Sequence, residues 1–65
     1  MYKVVHKERY MIEDVETEYA SISDIKKRYT YQQYLIDLHV SDLKVGCTVF
    51  FDYDNYISLE ITKMS

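Results

Sequence analysis

Gly46-Cys-Thr-Val-Phe-Phe-Asp-Tyr-Asp-Asn-Tyr-Ile-Ser-Leu-Glu-Ile-Thr-Lys-Met-Ser65 is the stretch that decides the fold. Tyr56 to Lys63 alternate apolar and polar residues with period two, the signature of a half-buried strand, and Cys47 to Asp52 form a β-branched and aromatic run before it. Together they predict a β-hairpin. A two-residue turn at Asp54-Asn55 would pair Tyr53 with Tyr56 and set Thr48, Phe50 and Asp52 opposite Ile61, Leu59 and Ile57, mixing polar and apolar groups on one face. A three-residue loop, with Tyr53-Asp54 at the centre of a type I turn and Asn55 left-handed, instead pairs Phe51 with Ile57, Val49 with Leu59 and Cys47 with Ile61. All of these are apolar, so this register is preferred. A one-residue slip would turn the whole set to the other face. The expected core is therefore Cys47, Val49, Phe51, Ile57, Leu59 and Ile61, and the opposite face carries Thr48, Phe50, Asp52, Tyr56, Ser58 and Glu60.

Working back from the hairpin, Asp42-Leu-Lys-Val-Gly46 reads as the tight turn that precedes a strand. Residues 30–40 fit two periods. Thr30-x-x-Gln33 can cap a helix carrying Tyr31, Tyr34, Leu35 and Leu38, yet Tyr34, Ile36, Leu38 and Val40 also alternate as a strand would. Because the helical stripe breaks at Asp42, a strand is predicted there. Ser21-Ile-Ser-Asp24 resembles a capping box with Asp in place of Glu or Gln, and predicts a short helix over 22–29 with Ile22, Ile25 and Tyr29 on one face. Lys26, Lys27 and Arg28 then lie where positive charge complements the helix dipole. Tyr2 to Glu13 reads as a long or bulged strand, with Tyr2, Val4, His6, Glu8, Tyr10 and Ile12 on one side. A turn near Glu13-Asp14 returns a second strand through Thr17, Tyr19 and Ala20.

The fold class predicted is α+β. It is a single small domain over 1–65, built as a mostly antiparallel sheet or partly open barrel of about five strands with one short helix near 22–29. Sixty-five residues lie near the lower limit for independent folding, where one core supplies roughly 3 to 5 kcal/mol. Self-association is accordingly expected, as a homodimer pairing an exposed strand edge at Tyr2 to Arg9 or Tyr56 to Lys63, with Lys3, Lys7 and Lys63 resisting it.

A single cysteine rules out an intramolecular disulfide. With no long apolar run and no signal-peptide pattern at Met1 to Lys7, a cytoplasmic location without membrane association is expected. Cys47 with His39 or His6 as nucleophile and base is disfavoured, because an inward-facing cysteine behaves as a small hydrophobe. Both histidines are expected to be half-exposed strand residues. With His and Cys so few, one glycine, and the acidic tip Asp52-Tyr-Asp54-Asn55 lacking the remaining calcium-loop ligands, the expectation is no enzyme, no cofactor, no metal and no catalytic residue.

Ser-Ile-Ser-Asp-Ile-Lys-Lys-Arg-Tyr followed by Thr-Tyr-Gln-Gln-Tyr resembles the two helices of a helix-turn-helix domain. The resemblance implies a winged-helix-like nucleic-acid-binding protein; a separate reading of the same class, and the better one because stacking tolerates any sequence, is a small β-barrel that stacks single-stranded bases on Tyr and Phe. The net charge of −3 opposes both, since an acidic chain loses the counterion-release contribution to nucleic-acid affinity. Eight tyrosines and two acidic groups carry the preferred reading. Glu13, Asp14, Glu16 and Glu18 lie beside Tyr10 and Tyr19, while Asp52, Asp54 and Glu60 lie beside Phe50, Tyr53 and Tyr56. Acid with aromatic anchors suits a basic groove on a larger protein, one that binds nucleic acid in particular. Short, acidic, Tyr-rich, proline-free chains are similar in composition to many bacteriophage-encoded inhibitors. The expected function is thus a non-enzymatic protein binder acting as inhibitor or regulator.

Overall fold

The computed structural model describes all of residues 1–65. Its elements in chain order are β1 (Tyr2–Glu8), β2 (Val15–Tyr19), α1 (Ile22–Arg28), α2 (Gln33–Val40), β3 (Thr48–Asp52) and β4 (Ile57–Lys63). The strands form one open antiparallel sheet in the order β2-β1-β4-β3, and both helices pack on one side of it. The α+β class and the antiparallel sheet hold. Four strands and two helices replace the expected five and one, and the sheet does not close into a barrel.

The largest correction is at residues 33–40, which are helical rather than extended. A seven-residue helix is about 10 Å long, whereas four strands span about 14 Å, so α1 alone is too short to cover the inner face. Two helices side by side cover it. On α2 the buried pair is Ile36 and Val40, at i and i+4, while Tyr34 and Leu38 stay 65% and 68% exposed. As a strand, all four side chains would have pointed the same way. The Thr30-x-x-Gln33 cap does not form either: Gln32 is the N-cap and makes no side-chain capping bond. The predicted cap of α1 does form, with the Ser21 hydroxyl accepting the Asp24 N–H at 3.2 Å.

The hairpin is present with its register moved by two residues. Val49 faces Ile61, Phe51 faces Leu59 and Asp52 faces Ser58. A shift of two preserves which way each side chain points, so Phe51, Leu59 and Ile61 are buried as expected and Val49 and Ile57 pack against them. The turn supplies the reason. Tyr53 pairs with Ile57, donating its N–H to the Ile57 carbonyl at 2.8 Å, and Asp54 Oδ1 accepts the N–H groups of Tyr56 and Ile57 at 2.7 and 2.8 Å. The Asp54 side chain thus does the work expected of a left-handed Asn55, and no residue other than glycine has a positive φ. The shift also carries Tyr53 into the core, edge-on to the Tyr29 ring at 5.3 Å.

Gly46, at φ +85°, ends the turn before β3. Its N–H donates to the Lys63 carbonyl at 2.8 Å, and Lys63 donates back to the Cys47 carbonyl at 3.1 Å, so two residues oppose one at a bulge. Cys47 falls at that bulge and is exposed, not in the core. The expected free edges are also reversed: β1 and β4 pair with each other along seven positions at the centre of the sheet, and β2 and β3 are the edges. All six elements contribute to or flank one hydrophobic cluster, whose fully buried members include Val4, Ile25, Ile36, Val40, Leu59 and Ile61. No helix is long and apolar enough to cross a membrane.

Candidate interaction surface

Because both helices sit on one side, the other side of the sheet has nothing over it. Strand alternation decides what it displays. With Tyr2, Val4 and His6 inward on β1, the outward residues are Lys3, Val5 and Lys7. The register then places Glu18 and Glu16 beside Lys3 and Val5 from β2, Thr62, Glu60 and Ser58 from β4, and Thr48, Phe50 and Asp52 from β3. Four carboxylates, Glu16, Glu18, Asp52 and Glu60, thus share the face with two lysines, Lys3 and Lys7.

Both lysines are already engaged. Lys3 Nζ is 3.9 Å from Glu16, and Lys7 Nζ lies 3.6 Å from Glu60 and 3.8 Å from Asp14, poised 5.6 Å over the Phe50 ring. At these lengths and exposures each pair contributes about 0 to 1 kcal/mol, so they arrange charge more than they hold the fold together. Asp52 accepts the Ser58 hydroxyl at 2.9 Å; neither it nor Glu18 has a cation within 4.0 Å. The face carries more carboxylates than cations.

Its aromatic residues lie toward one end. Phe50 is 58% exposed in the centre of β3. Tyr10 and Tyr56 stand with ring centroids 6.0 Å apart where β1 leaves the sheet, joined below by the Arg9 N–H donating to the Tyr56 carbonyl at 2.8 Å. A shallow groove of about 640 Å³ opens there and wraps around the hairpin end, from Lys7, Phe50 and Tyr56 to Gln32 and Leu35 on the helix side.

Of the residues singled out in the sequence, Phe50, Asp52, Glu60, Glu16 and Glu18 share this face, with Asp14, Tyr10 and Tyr56 at its margin. Glu13 is exposed in the loop between β1 and β2. Three residues serve the fold instead. Tyr53 is buried, and its hydroxyl accepts the Gln32 N–H at 3.1 Å while Gln32 Nε2 donates to its carbonyl at 2.9 Å. Asp54 is taken up by the turn, and Tyr19 points to the helix side, packed against the core.

One constellation escaped the sequence reading. His6 is buried, not half-exposed, and bridges Tyr29 and Glu8: Nδ1 is 2.7 Å from the Tyr29 hydroxyl and Nε2 is 2.9 Å from Glu8 Oε1. A carboxylate only accepts, so Nε2–H donates to Glu8, and the Tyr29 hydroxyl is the partner of Nδ1. This chain ties β1 to the end of α1. Tyr29 is pushed up to about 12 by burial, reinforced by Tyr19 and opposed by the Arg28 guanidinium. The signal was His6 sharing parity with Tyr2 and Val4. His39, expected on a strand, lies on α2 and stacks on Phe51 at 4.3 Å. The burial argument against a reactive Cys47 fails, since the thiol is exposed. No three His, Cys, Asp or Glu side chains gather closely enough to hold a metal ion. Compared with protein-family models, curated proteins and solved structures, the chain matches none.

Proposed function

We propose that this protein is a small non-enzymatic binding module that docks its uncovered acidic sheet face, with the Tyr10–Tyr56 corner, onto a basic surface of a larger protein. The observation that carries the reading is the coincidence on one helix-free face of Glu16, Glu18, Asp52 and Glu60 with an exposed Phe50. Exposed rings supply anchors that gain by desolvation, while carboxylates speed encounter with a cationic partner and reject anionic ones. A protein whose basic channel holds nucleic acid presents such a partner surface, and occupying that channel makes the module an inhibitor or regulator.

The competing reading is a winged-helix-like nucleic-acid binder, favoured by α1 and α2 forming a pair. Its reading helix is poorly equipped: α2 exposes Tyr34, Asp37 and Leu38, and the one close cation, Lys26 Nζ, is held by Asp37 at 2.8 Å. The test is affinity capture from the native host with wild-type and Phe50→Ala/Tyr56→Ala baits. The dissociation constant of the recovered protein is then measured at two salt concentrations. Weaker binding by the double variant and weaker binding at high salt support the face. Equal recovery by both baits removes it, and salt-sensitive micromolar binding to mixed single- and double-stranded nucleic acid favours the competing reading.

A further inference from the structure

The two edges of the sheet are not alike. We infer that the free edge of β3 pairs antiparallel with β3 of a second copy, across a two-fold axis at Phe50, joining two four-stranded sheets into one continuous sheet. The backbone sets the register. Tyr53 donates to Ile57 and Lys63 donates to Cys47, so the odd-numbered residues Val49 and Phe51 direct their N–H and C=O groups to β4. Thr48, Phe50 and Asp52 direct theirs outward. A two-fold axis at Phe50 opposes Phe50 to Phe50 and Thr48 to Asp52 in both directions, so every outward donor meets an outward acceptor. A slip of one residue would face outward groups with groups already spent on β4.

The side chains agree with that register. On the open face the Phe50 rings meet across the axis, and the Thr48 hydroxyl lies opposite Asp52. On the helix face Val49 lies opposite Phe51, an apolar pair at the closer, non-hydrogen-bonded spacing. Strand β3 carries no lysine and no proline, the residues that ordinarily blunt an edge. Strand β2 differs: the same operation centred on Thr17 sets Glu16 against Glu18 twice, a like-charge opposition that guards it.

This pairing shares Phe50 with the docking face but does not rest on the docking reading, and it is tested on the protein alone. Sedimentation equilibrium of the wild type over a wide concentration range is expected to show a reversible dimer. Phe50→Lys, at a position already 58% exposed and facing Glu60, puts like charges across the axis and is expected to raise the dimer dissociation constant about tenfold or more. Val15→Lys on the β2 edge is expected to change it by about twofold or less. Amide exchange gives a readout that needs no variant: protection at Thr48, Phe50 and Asp52 is expected to rise with protein concentration. A wild type that stays monomeric at millimolar concentration overturns the pairing. So does a folded Phe50→Lys protein with wild-type association, a Val15→Lys effect as large, or protection at these amides independent of concentration.

Discussion

Replacing Tyr29 with Phe removes one hydroxyl and links core packing to a pH effect of known sign. At neutral pH the substitution leaves the buried His6 Nδ1 without its hydroxyl partner at 2.7 Å, which costs about 1 to 2 kcal/mol. At high pH the balance changes. The Tyr29 hydroxyl is raised from 10.0 to about 12, mainly by burial, so the folded state favours its neutral form. As pH climbs past the unfolded value, the unfolded chain gives up this proton first, and unfolding at fixed pH releases it. Stability from this group is therefore complete below pH 10 and falls as pH rises toward the folded value. At one unit above the unfolded value the loss is about 1.4 kcal/mol, and it saturates near 2 to 3 kcal/mol once both states are ionised. Urea midpoints followed by circular dichroism, for wild type and Tyr29→Phe at pH 8 and pH 11, isolate it. Every other titrating group is common to both proteins, so the wild-type advantage should shrink or vanish at the higher pH. A stability difference between the two that does not move with pH would refute the burial of this hydroxyl.

Ile36→Ala, at a fully buried position on α2, should cost about 2 to 5 kcal/mol, enough to unfold a domain of this size, as thermal melting would show. Ser21→Ala removes the cap of α1 and should lower stability by about 1 kcal/mol in denaturant titration. Tyr53→Phe loses the bond from the Gln32 N–H and should cost about 1 kcal/mol without weakening partner binding, whereas Tyr56→Ala should spare stability and weaken binding. Cys47 should react with a thiol reagent in the folded protein, and Cys47→Ser should change stability by about 0.5 kcal/mol or less.

What the sequence made legible was local. Strand parity in the hairpin, the Ser21 cap, the turn at Gly46 and the return strand β2 each rest on a few neighbouring residues, and each is present. The misread features depend on partners distant in the chain. Residues 33–40 satisfied both periods, and the choice between them belonged to the width of a sheet whose strand count was still open. The hairpin register turned on whether Tyr53 was worth burying, which depends on Tyr29 and Gln32. Of the candidate surface, the outward carboxylates and Phe50 followed from parity once the strands were right, whereas Tyr53 and Tyr19 were drawn inward by contacts distant in the chain, Tyr53 by Tyr29 and Gln32 and Tyr19 by the core beside Tyr2. Nothing local distinguishes a tyrosine that anchors a partner from one that closes a core.

The central seam between β1 and β4 sets a folding order. Each flanking hairpin joins strands that are neighbours in the chain, so its closure costs little loop entropy, but Tyr2 finds Lys63 only after nearly the whole chain is in place. The slow step is therefore expected to be the docking of the two hairpins along seven residue pairs, with α1 and α2 carried in the connection between them. Until that step is complete, both halves expose the inner face of the sheet. A substitution that weakens either hairpin, such as one on β2, should therefore slow folding with little effect on unfolding, whereas one whose contacts form only after docking should chiefly hasten unfolding.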